Sequence, residues 1–305
     1  MAILKGQNFR ILAYDTTSQH WKVVGMATNC VVNLINNTED ASHKDIVGAA
    51  AYPAVVSQSW NVQVESLNVA DVGAMLTAIK NNTPFTLRWD ETTTDDNQLL
   101  DPQTYGRQGS AFLNDGTFTF DNRTNSAKSL QFTGSGPLTT PASGDVDEDI
   151  FTGGTLTKGQ FVRLYLGSDN TATPSKVIAS ARTLSLHVSV SLEEASTKDT
   201  DGNYIVNEPT SYTYDISTGA LIRGNDTITS SVQAQGLSEI ESIKETGNPV
   251  KWQIANVSGA NQRTKGSVIA SGSCIIQNMT LNGPNRQSAD YTASLLGVGE
   301  LNVGA

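Results

Sequence analysis

Between Thr183 and Ser191 the chain alternates without a break. Leu184, Leu186, Val188 and Val190 fall on one side; Thr183, Ser185, His187, Ser189 and Ser191 fall on the other. Successive side chains of a strand point to opposite faces, so the pattern predicts a strand with one packed face and one polar, nearly uncharged face. The strand is read as extending from Val177 to Ser191. A looser version runs from Val23 to Asn37, with Cys30, Val32 and Leu34 set against Asn29, Val31, Asn33 and Ile35. After a loop in each case, Trp60, Val62 and Val64 alternate with Asn61, Gln63 and Glu65, and Tyr214 and Ile216 alternate with Asp215 and Ser217. Each pair of strands makes a long hairpin whose polar face is broad.

The period then changes. Val72, Leu76 and Ile79 lie near helical spacing and predict a helix over 69–81; Leu237, Ile240 and Ile243 predict a second over 237–245. Asn82-Thr83-Pro84 and Gly247-Asn248-Pro249 end them. A strand follows each helix, Phe85–Trp89 and Val250–Val257. A further strand opens at Gly109-Ser110 and at Gly266-Ser267 and is read as closing on a glycine turn, Asp115-Gly116 and Ser271-Gly272. Phe118–Phe120 and Ser129–Thr133, then Cys274–Met279 and Ala289–Leu295, complete the strand set. Short strands after Lys5-Gly6 and Lys158-Gly159 begin each series.

These elements form two series because the chain repeats itself. Glu39-Asp40-Ala41-Ser42-His43-Lys44-Asp45 returns as Glu193-Glu194-Ala195-Ser196-Thr197-Lys198-Asp199, 154 residues on, and the same spacing carries Trp60 onto Tyr214 and Asn61 onto Asp215. The reading is of two tandem domains, 1–138 and 156–305. They are joined by a Gly/Ser/Pro-rich and acidic linker, 139–155, which contains Asp145-Val146-Asp147-Glu148-Asp149.

Length and charge sharpen this picture. A chain of 305 residues fits two domains, each able to bury a core. The formal net charge is −10, which argues against a surface that grips nucleic acid, though not against one that nucleic acid passes. No apolar run predicts a signal peptide or a membrane span, so synthesis in a cytoplasm is expected. Cys30 and Cys274 sit at non-equivalent places and are read as reduced thiols. His20, His43 and His187 have no partners at metal or triad spacing; His187, aligned with Asn33, is read as a spare polar residue. The acidic run lacks a calcium-loop pattern. The sequence therefore predicts no enzyme, no cofactor and no metal.

The order strand, long hairpin with an acidic-Ser-x-Lys-Asp corner, helix and further strands resembles the major tail tube proteins of long-tailed bacteriophages. The residues that carry the resemblance are Lys5, Gly6, Phe9, Arg10 and Ile11 with Asp40, Ser42, Lys44 and Asp45. In the second copy they are Lys158, Gly159, Phe161, Arg163 and Leu164 with Ser196, Lys198 and Asp199. The resemblance implies a mainly β fold: two tandem tail-tube-like β-sandwich or barrel domains, each with a flanking α-helix. It also implies rings stacked into a virion tail tube through which genomic DNA passes without specific binding. Tape-measure, tail terminator and baseplate or tail-tip proteins are the implied partners. Family members usually carry one such domain and form hexameric rings. Two domains per chain predict a homotrimeric ring with pseudo-six-fold symmetry, its strand edges satisfied by lateral pairing.

On this reading the channel face consists of Asn29, Asn33, Asn61, Gln63 and Glu65 with Thr183, Ser185, His187, Ser189, Asp215 and Ser217, none of them Lys or Arg. DNA carries about one negative charge per 1.7 Å, so a neutral or acidic wall lets it slide. Contacts between subunits or rings are expected at Ala2, Ile3 and Leu4, at Ala51, Tyr52 and Pro53, and at Tyr204, Ile205, Val206 and Pro209. The two loops are read either as folded onto their own domain or as docked on a neighbour. Rival readings are a two-domain β-sandwich adhesin or carbohydrate-binding module, and the inner tube of a contractile injection machine.

Overall fold

The computed structural model describes residues 6, 9–15, 19–24, 27–43, 51–67, 72–91, 106–141, 156–200, 202–222, 234–258 and 264–304. The first series of elements is β1 (Phe9–Asp15), β2 (His20–Val23), β3 (Ala27–Asp40), β4 (Pro53–Ser66), α1 (Val72–Lys80), β5 (Phe85–Glu91), β6 (Arg107–Thr119) and β7 (Ala127–Thr139). The second is β8 (Val162–Leu166), β9 (Lys176–Ile178), β10 (Ala181–Glu194), β11 (Asn207–Leu221), β12 (Ala234–Gln235), α2 (Leu237–Thr246), β13 (Val250–Ser258), β14 (Thr264–Asn282) and β15 (Asp290–Val303).

Hydrogen-bonded neighbours run β3-β4-β7-β6-β5-β1-β2 in the first series and β10-β11-β15-β14-β13-β8-β9 in the second, with β12 added at the end. The two paths match element for element, so the repeat seen in the residues is a repeat of topology. Most of the linker, 142–155, lies outside the described residues.

Register makes the match residue by residue. Leu34 pairs with Trp60 in one hairpin, and Val188 with Tyr214 in the other, each 154 positions apart. In the later strands the spacing is 163: β6 bulges between Leu113 and Asp115, and β14 between Ile276 and Asn278. A bulge adds an unpaired residue and bends the strand, and here it sits at the same place in both series.

The two aromatic residues of the repeat are core residues. Trp60 is closed over by Gly134 and Gly109, and Tyr214 by Gly297 and Gly272. A Cβ on Gly109 would lie 2.7 Å from Trp60 Cζ2, and one on Gly272 2.7 Å from the Tyr214 hydroxyl. The Trp60 indole N–H donates to the Gly136 carbonyl at 3.1 Å, and the Tyr214 hydroxyl donates to the Ser273 carbonyl at 2.7 Å.

Both helices fall where their periodicity predicts. Val72, Met75, Leu76 and Ile79 of α1 are buried; of α2 only Ile240 is fully buried, with Leu237 and Ile243 packed beside it. The first helix, VGAMLTAIK, is the more apolar of the two, and it makes a second contact. Besides the sheet of its own series, α1 meets the end of β15: a Cβ on Gly73 would touch Val303, and Lys80 pairs with Glu300 at 2.5 Å.

Three expectations are corrected. Asp115-Gly116 and Ser271-Gly272 are not turns but lie inside β6 and β14. The Val177–Ser191 strand is two strands, because Ser180 takes a left-handed φ of 54° and turns the chain between β9 and β10. Of the expected Val23–Asn37 strand, Val23 ends β2 and Ala27–Asn37 belong to β3.

Candidate channel face and inter-repeat junction

Neighbouring residues in register share a face, so rows can be traced across the sheet. One row runs Asn29, Glu65, Ser129, Thr117, His187, Asp215, Leu296. The next runs Val31, Gln63, Gln131, Asp115, Ser189, Thr213. A third runs Ala127, Thr119, Ser185, Ser217, Ser294, Asn278. These rows place Asn29, Gln63, Glu65, Ser185, His187, Ser189, Asp215 and Ser217 on one continuous face spanning both repeats, polar apart from Ala127 and the exposed Val31 and Leu296; Asn33, Asn61 and Thr183 follow on the same side by alternation. Asn29, Gln63, Glu65, Thr183 and Ser217 are exposed on it; Asn33, Asn61, Ser185, His187, Ser189 and Asp215 are half-buried. None of the residues in the rows is Lys or Arg.

The face is continuous because the repeats join edge to edge. Ser185–Ser189 of β10 pair antiparallel with Asp115–Thr119 of β6. At this junction His187 is not spare. Its Nδ1 lies 2.7 Å from Asp215 Oδ1, and its Nε2 2.9 Å from Asp115 Oδ2. The imidazole thus bridges a carboxylate from its own repeat and one from the other. Partial burial pushes the imidazole pKa down, but the hydrogen bonds and charges of Asp115 and Asp215 outweigh burial, and the net shift is upward. Asp115 escaped the sequence reading because Asp-Gly is turn chemistry. The equivalent of this cluster is legible only once register is known: Asn33 stands for His187 and Asn61 for Asp215, and the Asn33 amide donates to the Asn61 side-chain oxygen at 2.7 Å.

The acidic-Ser corner closes each hairpin. Ser42 Oγ accepts from the Tyr52 backbone N–H at 3.1 Å, and Ser196 Oγ accepts from the Val206 N–H at 2.9 Å. The Ala41 and Ala195 N–H groups donate to the Tyr52 and Val206 carbonyls, both at 2.8 Å. Past this shared closure the two loops part ways. Tyr204 and Ile205 bridge to Gln58, the Gly136 N–H donates to the Ile205 carbonyl at 2.9 Å, and the Asn207 amide donates to the Gly134 carbonyl at 2.8 Å. The second loop therefore docks on the other repeat of the same chain. Tyr204, Ile205 and Val206 are half-buried there, whereas Ala51, Tyr52 and Pro53 are exposed. Pro209 faces Leu192 in the β10–β11 ladder. Ala2, Ile3 and Leu4 lie outside the described residues.

Cys30 and Cys274 are free thiols; burial pushes Cys274 up to about 12. Among the described residues no cluster of His, Cys, Asp and Glu is placed to hold a metal, and no helix is long and apolar enough to cross a membrane.

No protein-family model and no curated protein matches the chain. Among solved structures, it is similar to a chain of the virion of a native gene transfer agent particle, with a TM-score of 0.37 and 14% identity over 49% of this chain and 99% of that one. It is also similar to a chain of the tail of an empty gene transfer agent particle with C6 symmetry, with a TM-score of 0.38 and 14% identity over 49% of this chain and 99% of the other. A third similar structure is the SPP1 tail tube, with a TM-score of 0.34 and 19% identity over 48% of this chain and 78% of that one.

Proposed function

We propose that this chain is a structural virion protein that polymerises into stacked rings forming a phage tail tube, the channel for genome delivery. The observation that carries the reading is the polar face. It runs through both repeats across the β10–β6 junction and presents mainly amides, hydroxyls and carboxylates, with Val31 and Leu296 among them and no Lys or Arg in its rows. Turned inward, such a wall offers DNA no counter-charge to release ions against, so the nucleic acid is contained and not held. The motif resemblance at Lys5–Ile11 and Asp40–Asp45 supports the same reading.

Three chains supply six hairpins, which gives a trimeric ring with pseudo-six-fold symmetry. The exposed Ala51–Pro53 segment serves contacts to the next subunit or ring. The tape-measure, terminator and tail-tip proteins of such a tail are the further partners. The aromatic residues of the repeat, Trp60 and Tyr214, are buried and offer no ring to a carbohydrate.

Electron microscopy of the purified protein at rising concentration tests the proposal, with native mass to count chains. Rings or tubes with a central hole and three chains per ring are expected. A monomer that never assembles, or a solid fibre without a channel, overturns it.

A further inference from the structure

Each repeat has the same two joining edges, and the chain uses only one of each. The β10 edge of the second repeat meets the β6 edge of the first. The matching edges, β3 of the first repeat and Asn278–Asn282 of β14, pair with no other strand on their outer sides among the described residues.

Burial separates the used edges from the unused ones. Val188 and Phe118 are 0% exposed at the filled junction, while their equivalents Leu34 and Leu281 are 65% and 51% exposed. An exposed Leu on an unpaired edge strand is the kind of template that pairs with another chain. A third difference lies beside them. Gly136 is covered by the Ile205 loop, but its equivalent Gly299, with Val298 and Glu300, lines an open depression of about 530 Å³. The residues equivalent to Ile205–Asn207 are the exposed Ala51–Pro53.

The geometry points to a head-to-tail joint between copies of this chain, in which Val31–Ile35 of one copy pair antiparallel with Asn278–Asn282 of the next in the register of the β10–β6 junction, and Asn33, Asn61 and Asn278 replace His187, Asp215 and Asp115. The inference rests on the ring reading above. In that register Asn33 lies opposite Thr280, Leu34 opposite Met279, and Val32 opposite Leu281. The same patch does not face itself, so the joint is heterologous, and repetition closes into a ring when the rotation permits. The ring then alternates two chemistries: an Asp–His–Asp cluster inside each chain and an all-amide cluster between chains.

Paired cysteines test the register. Opposite residues of an antiparallel pair hold their Cβ atoms about 4.5–5.5 Å apart, and diagonal neighbours about 7–8 Å. Asn33→Cys with Thr280→Cys is oxidised at assembling concentration. Asn33→Cys with Asn278→Cys, and Asn33→Cys with Asn282→Cys, serve as pairs displaced by two residues on the same face. The expected result is a ladder of covalent dimers and trimers from the first variant, with the 33–280 peptide link identified by mass spectrometry, and at least tenfold less from the displaced pairs. Tubes that form without the 33–280 link, or with a displaced link in its place, overturn this joint and leave the tube reading standing. A chain that neither assembles nor links overturns both. Circular dichroism of each variant before oxidation confirms that the fold is retained, and the single variant Leu281→Cys, labelled with a bulky maleimide, gives a second reading. Labelling fast in the monomer and at least tenfold slower in tubes is expected; equal rates overturn the joint.

Discussion

Gly134 and Gly297 lie under the rings of Trp60 and Tyr214, where a Cβ would overlap ring atoms. Gly134→Ala and Gly297→Ala should each cost roughly 1–3 kcal/mol of stability, near the top of that range for a collision with a locked ring; urea unfolding of the two variants measures it. Arg88 and Asp90 form a fully buried ion pair at 2.7 Å, and Arg88 lies 5.8 Å from the centre of the Trp21 ring. Removing one partner should cost about 3–5 kcal/mol, whereas replacing both with apolar residues of similar volume should cost far less; thermal melts of Asp90→Asn and of Arg88→Met with Asp90→Leu separate the two outcomes. His187 gives a pH dependence with a definite sign. The titratable groups facing it are Asp115 from β6 and Asp215 from β11. Its folded pKa is raised, so its contribution is complete below the value of a free imidazole and is lost as pH rises through the folded value. Urea midpoints taken between about pH 5 and 8 should fall toward alkaline pH by more in the native chain than in His187→Asn. His187 and Asp215 could be read from alternation as neighbours on a polar face. Asp115 could not, since the strand that carries it to them bulges one residue earlier.

At the scale of elements, what could be read from the chain was what each element buries. Strands β10 and β11 pack one face and wet the other, so period two is clean, and α1 shows its helical spacing because Val72, Leu76 and Ile79 all reach the core. Breaks were harder to see. Ser180 turns the chain with an apolar run before it and an alternating one after it, and only the backbone angle marks the corner. Gly272 suggested a turn, yet its role is to clear space for the Tyr214 hydroxyl in mid-strand. The acidic-Ser corner, by contrast, drew notice as a repeated motif and proves to be a repeated hydrogen bond. Ser196→Ala should remove the acceptor for the Val206 N–H and cost about 0.5–1.5 kcal/mol, with faster amide exchange at Val206 as the local readout. The loop after that corner could not be assigned from residues alone, because its partner surface, Gln58 and Gly134–Gly136, belongs to the other repeat.

For the whole molecule, the contrast between used and unused edges gives opposite outcomes for one change made at equivalent places. Leu34→Glu, at an exposed site, should leave monomer stability within roughly 0.5 kcal/mol and abolish assembly, whereas Val188→Glu, at its buried equivalent, should unfold the chain. Sedimentation velocity and circular dichroism on the pair read the two effects separately. Fusion of the repeats also changes how a ring comes into being. The β10–β6 contact forms within one polypeptide, where the tether supplies its partner at a high effective concentration whatever the amount of protein in solution. Only the remaining contacts form between molecules, so a three-chain ring leaves half as many of them to be made as six separate subunits would. The ionisable cluster sits at the contact the tether guards. A change of acidity that weakens it leaves the partner attached, while the amides placed at the untethered contact have no proton to lose.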